Sequence, residues 1–283
     1  MTDVALSLPG PGRDTPRAAY RVLERRATLT TVAVLIALAA LSWWYTVGQS
    51  HDMAAMVQGL AHVGTAMPFD MSVGLFLAMW VAMMVAMMFP TIAPVVLLHR
   101  MVFRRGGRGP ATTVVFSSGY LLVWAAVGLV PLAVLESFRH LSGGSTWVLR
   151  VAGVVLVAAG AYQFTAWKET CLRVCQTPLT FLMTHDFGTG PMGAVRVGVT
   201  HGLYCLGCCW ALMAVLFVVG LMNLSWMVGI ALVFLAEKHW RHGLGLSRVV
   251  GTAVIGFGVT VLVHPALLDS IVPLAHAPKM MMG

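Results

Sequence analysis

MSVGLFLAMWVAMMVAMMFPTIAPVVLL, residues 71–98, contains no Asp, Glu, Lys, Arg or His. A helix needs about 20 apolar residues to cross a bilayer core, and this stretch is longer. A surface helix of a soluble protein would carry a polar face; this one has none. Six further segments read the same way, at roughly 27–48, 112–136, 147–167, 195–220, 224–240 and 247–268. The expected fold is all-α: a polytopic membrane bundle of about seven transmembrane helices over residues 27–268.

Composition supports that reading. Charged residues make up 10% of the 283 and hydrophobic residues 59%, and the mean hydropathy is +0.85. An ordinary globular domain carries roughly 25% charged residues, so lipid must cover most of this surface. The balance argues against a soluble enzyme, a disordered chain or a nucleic-acid binder. With no Gly-rich phosphate loop or Walker-type motif, no nucleotide is expected as a partner. Membrane lipid and a metal ion are.

The net charge of +8 reports topology. With the N-terminus inside, fifteen Lys and Arg fall in inner segments, and only Arg139, Arg150 and Lys279 fall outside. Basic residues collect on the cytoplasmic side, so the expectation is N-terminus in and C-terminus out. Residues 1–26 are Arg-rich, contain Pro9, Pro11 and Pro16, and are expected as a disordered cytoplasmic tail. No small-residue cleavage site follows the first apolar run, so that span is expected to stay as an anchor. Residues 269–283 form an outer, Met-rich tail.

The chain holds 19 Met, and five of them lie in Met79–Pro90, MWVAMMVAMMFP. Met79, Met83 and Met87 form one i, i+4 series, and Met84 and Met88 a second. Together they cover about half of a helix surface of 3.6 residues per turn. Thioethers are soft, neutral ligands that suit Cu(I) and avoid a carboxylate in the membrane. Met also packs well in irregular apolar gaps, which is the competing reading. Pro90 is expected to kink the helix below the cluster.

Thr200–Met213 reads THGLYCLGCCWALM. His201, Cys205 and Cys208 share one narrow helical face, with Cys209 flanking it. Imidazole and thiols on one face make half a site for a soft metal, and another element must complete it. Packing as small buried hydrophobes and thiol redox chemistry are the alternatives. Cys171 and Cys175, in KETCLRVCQTP, form another i, i+4 pair beside Lys168 and Arg173. Nearby positive charge is expected to lower their thiol pKa values. A structural disulfide framework is not indicated.

The order MWxxMMxAMMxP, CLxxCxxP, GLYCLGCCWxLM and then a Glu-Lys pair resembles a bacterial family of predicted metal-binding integral membrane proteins, domain of unknown function 2182. The resemblance runs from about Met79 to Lys238. FTAWKETCL departs from the Pro-Leu-Lys sequence expected before Cys171. The resemblance implies metal binding and supplies no reaction.

Further candidate ligands are His51, Met53 and Met56 in the outer connection, with His62, Met67 and Met71 beyond them and His276 and Met280–Met282 in the tail. Glu237 and Lys238 read as a paired interfacial charge, with proton or metal coordination near the inner exit as the alternative. Tyr162 and Gln163 read as interhelical hydrogen-bonding groups. The Met stripe is expected to pack against the His201–Cys205–Cys208 face, with Met83 level with Cys205. The function expected is Cu(I) handling in the bacterial inner membrane: uptake, transfer or delivery, with a copper chaperone or cuproenzyme as partner. A copper-dependent membrane oxidoreductase and a non-catalytic assembly partner are the rival readings.

Overall fold

A computed structural model describes residues 14–53, 73–105, 111–139, 146–184, 190–220 and 223–264. Among them the regular structure is helical throughout. The elements are α1 (Asp14–Met53), α2 (Val73–Arg105), α3 (Ala111–Val127), α4 (Leu129–Arg139) and α5 (Thr146–Tyr162). They continue with α6 (Ala166–Gln176), α7 (Pro178–Thr184), α8 (Gly190–Val219), α9 (Leu224–His239) and α10 (Gly243–Val263).

Among the described residues, five stretches are long and apolar enough to cross a membrane: Thr28–Gly48, Val73–Met101, Ala111–Val134, Gly190–Val219 and Gly243–Val263. Two of the seven expected spans are shorter, since α5 has 17 residues and α9 has 16. Leu29, Ile36, Leu41 and Trp44 of α1 and Val249, Val259 and Val263 of α10 are exposed. An outer surface of this kind is built for lipid, because soluble monomers rarely show broad apolar patches.

α1 begins at Asp14, inside the segment expected as a disordered tail. The connection after α5 carries two short helices, α6 and α7. α2 stays helical through Pro90 and Pro94 to Arg105. Pro90 lacks the N–H that would bond the Ala86 carbonyl. That carbonyl is satisfied from outside the helix, by the Trp43 indole N–H of α1 at 3.0 Å. The side chain of a neighbouring helix thus replaces the missing backbone bond.

Small residues fix the crossing of α3 and α8. A Cβ on Gly198 of α8 would run into the Phe116 carbonyl oxygen of α3, and one on Gly119 would lie 2.7 Å from the Val195 carbonyl oxygen. Glycine at both positions lets the two backbones meet, as membrane helices do where side chains are smallest. This crossing brings Tyr120 of α3 onto Cys205 of α8. The expected hydrogen bonds of Tyr162 and Gln163 are present: Tyr162 Oη donates to the Gly207 carbonyl at 2.7 Å, and Ser247 Oγ donates to Gln163 Oε1 at 3.0 Å. The short hairpin between α8 and α9 turns at Gly220, whose φ of +102° suits glycine, and Asn223 caps α9.

The expected face-to-face packing of α2 on α8 is not what forms. The neighbours of α2 are chiefly α1, α3 and α9, and those of α8 are α3, α6 and α5. The two helices touch through long side chains, as where the Trp80 and Phe217 rings lie 6.2 Å apart.

Candidate metal centre

Cys205, Cys208 and Cys209 lie in the buried middle of α8, and their sulfur atoms all fall within 4.8 Å of one another. The spacings explain this. Positions i, i+3 and i+4 of an α-helix stack on one side, and the Cys208 and Cys209 thiols both turn back to the Cys205 carbonyl, at 3.1 and 2.8 Å.

The fourth sulfur comes from α6. Thr165 caps this helix by accepting a hydrogen bond from the Lys168 N–H. Lys168, Leu172 and Cys175 form its buried face, at the i, i+4, i+7 spacing of a helical stripe. Cys175 Sγ therefore reaches Cys208 Sγ at 3.8 Å. Cys171 sits one turn earlier against Gly207, where an added Cβ would stand 2.6 Å from its sulfur. The sequence reading that these thiols are lowered by Lys168 and Arg173 is corrected. Burial holds the Cys171 thiol above its usual range and Cys208 adds to this, while Lys168 opposes it. Cys175 is raised by its hydrogen bonds to Cys205 and Cys208, with burial adding to them.

Charged residues complete the shell, in an arrangement other than the expected interfacial pair. Lys168 Nζ donates to Glu237 Oε2 at 2.7 Å and also to the Cys208 carbonyl. Glu237 and Lys238 are not a mutual interfacial pair: both are buried, and each faces a different partner. Lys238 Nζ lies 3.1 Å from Cys205 Sγ, 3.1 Å from Thr91 Oγ1 and 3.8 Å from Met88 Sδ. Tyr120 Oη is 3.2 Å from Cys205 Sγ on another side. The available signal was the presence of three ionisable residues next to apolar helices, since such residues seldom lie in a membrane without a function.

Met79, Met83, Met84, Met87 and Met88 are all buried. Met88, at the C-terminal end of the stripe, meets the cysteine group through the Lys238 ammonium, which lies 3.8 Å from Met88 Sδ and 3.1 Å from Cys205 Sγ. Trp80 beside Phe217 and Met88 across Lys238 from Cys205 depart from the expected register, which set Met83 level with Cys205. His201 is buried among Phe116, Tyr120 and Phe181, with ring centroids 6.5, 6.3 and 5.5 Å away. Its Nδ1 has no hydrogen-bond partner, and it stands outside the close sulfur group. The side chains of His51 and Met53, and all of Met56, His62, Met67, Met71, His276 and Met280–Met282, lie outside the described residues.

The donor chemistry fits a soft monovalent ion. Three buried thiols lie within 4.8 Å of one another and a fourth, Cys175, reaches Cys208, while Met88 Sδ faces the group across the Lys238 ammonium. Thiolate and thioether sulfur select Cu(I), whereas Mg(II) and Mn(II) prefer oxygen.

Residues 77–261 match the model of a family described as PpoB2, copper chaperone. That description differs from the domain-of-unknown-function label that the motif order resembles. No curated protein and no solved structure matches the chain.

The Cys175–Cys208 approach is testable without metal. Mild oxidation of the metal-free protein should link α6 to α8, because two sulfurs at 3.8 Å need only a small shift to reach bonding distance. Peptide mass spectrometry should find Cys175 joined to Cys208, and prior loading with Cu(I) should suppress the link. Failure of the metal-free protein to form it would contradict this arrangement.

Proposed function

We propose, for a chain that belongs to the PpoB2 family of copper chaperones, that it holds Cu(I) inside a membrane helix bundle and passes it to a partner. The observation that carries this reading is the group of three buried thiols within 4.8 Å of one another, joined by Cys175 from a separate helix. Ligands drawn from two helices suit a chaperone. Relative movement of α6 and α8 would open the sulfur group without unfolding either helix.

Cys205, Cys208 and Cys209 are the primary ligands in this reading, with Cys175 and Met88 beside them. Met79, Met83, Met84 and Met87 provide a soft path along α2 toward the outer side. Cys171 extends the sulfur line away from the group. His201, His51, Met53 and Met56 are secondary candidates. The partner is a copper-collecting protein or a cuproenzyme.

Purified protein given Cu(I) with reductant should retain stoichiometric copper and no manganese. Cys205→Ser and Cys208→Ser should each lower copper affinity by about tenfold or more, the usual effect of disturbing ligands and their supports. Met88→Ala should weaken retention, and adding it to Cys205→Ser should do little further harm because one site is lost once. Stoichiometric zinc without copper in the wild type would contradict the reading.

The topology proposed is seven crossings of the bacterial inner membrane, with α5 and α9 as the short ones. The N-terminus is inside and the C-terminus outside. The fifteen-to-three distribution of Lys and Arg supports it. A reporter fused after Gly283 should read as periplasmic, and a cytoplasmic readout would overturn the count.

A further inference from the structure

We infer that Lys238 is the counter-cation of a singly negative metal–thiolate complex. This rests on the copper reading above and deepens it by assigning the charge of the loaded site.

The Lys238 side chain is 6% exposed. Its neighbour Glu237 is engaged by Lys168 at 2.7 Å, and the Glu237 main-chain carbonyl is held by Gln176 Nε2 at 2.6 Å. The Lys168–Glu237 pair is therefore neutral by itself. Lys238 makes no ion pair with a carboxylate among the described residues. Its ammonium points at Cys205 Sγ, Thr91 Oγ1 and Met88 Sδ, with the Phe234 ring centroid 6.0 Å away. A buried cation without a countercharge is strongly disfavoured. The atoms around this one can supply a single negative charge only through sulfur.

Cu(I) provides the balance. One Cu(I) and two thiols give a dithiolate complex of charge −1, with two protons released to solvent. Cys205 and a second thiolate of the group then carry, with copper, the charge that Lys238 lacks. The position of the ammonium beside Cys205 Sγ stabilises that complex by direct attraction in a low-dielectric setting. A neutral complex on the same thiols gains nothing from the lysine. Arsenite supplies this comparison. Arsenous acid and three thiols give a neutral tristhiolate and three waters, and three thiols are available within 4.8 Å.

The test compares Cu(I) affinity, by competition with a colorimetric chelator, and arsenite affinity, by protection of the thiols from alkylation. Wild type is set against Lys238→Gln, Lys238→Leu and Lys238→Arg in full-length protein in detergent. Gln and Leu should each lower Cu(I) affinity by about tenfold or more, the scale on which breaking a buried ionic contact acts. Arsenite affinity should stay unchanged, and Arg should restore most of the copper binding. A Gln variant with unchanged or higher Cu(I) affinity would overturn the inference. So would an equal fall for copper and arsenite, which marks a merely structural role. A wild type that takes arsenite but no Cu(I) would overturn the copper reading, and this inference with it.

Discussion

The buried ion pair of Lys168 and Glu237 joins α6 to α9 at 2.7 Å, and both side chains are 1% exposed. Lipid offers such groups no hydrogen bonds, so the pair depends on this contact: Glu237 is held through Oε2, and its buried Oε1 has no partner. The same ammonium donates to the Cys208 carbonyl of α8. One cation therefore ties three helices together around the sulfur group. Removing either partner would leave an uncompensated buried charge, a change that costs about 3–5 kcal/mol in proteins. The placement of Cys175 depends on this tie, because Cys175 follows Lys168 on the same face of a short helix. The glycine crossing of α3 and α8 supplies the remaining wall, with Tyr120 against Cys205.

Much of this was legible in the amino-acid sequence. A charge-free run such as residues 71–98 admits only a buried or membrane helix. The i, i+3, i+4 spacing of Cys205, Cys208 and Cys209 already places the thiols together, because helix geometry is local. The sequence also required a second element beside these thiols and expected the Met stripe there, whereas the sulfur that reaches Cys208 is Cys175 of α6.

What was not legible is the contact between elements. Met79 to Met88 cover half a helix surface, so their periodicity cannot say which sulfur meets the cysteines. Depth counted from span ends selects Met83, whereas packing selects Met88. The register is set by side chains that periodicity does not rank, such as Trp80 against Phe217 and Trp43 on the Ala86 carbonyl. Adjacent Glu237 and Lys238 suggest a pair in sequence. On a helix, however, neighbours in sequence point about 100° apart, and each found a partner elsewhere. The i, i+4 spacing of Cys171 and Cys175 was legible in α6, but not that its Lys168–Leu172–Cys175 stripe packs inward.

A copper chaperone must bind its ion selectively and still release it. In the proposed site, sulfur ligands would supply selectivity over hard ions, and their division between α8 and α6 would supply a way to open. The central claim is that the ion is held by sulfur from Cys205, Cys208, Cys209, Cys175 and Met88. X-ray absorption at the copper edge of the loaded, reduced protein tests this most directly. The account predicts a Cu(I) edge with a first shell made of sulfur alone, losing sulfur in Cys208→Ser. A shell dominated by nitrogen or oxygen, unchanged in that variant, would contradict it.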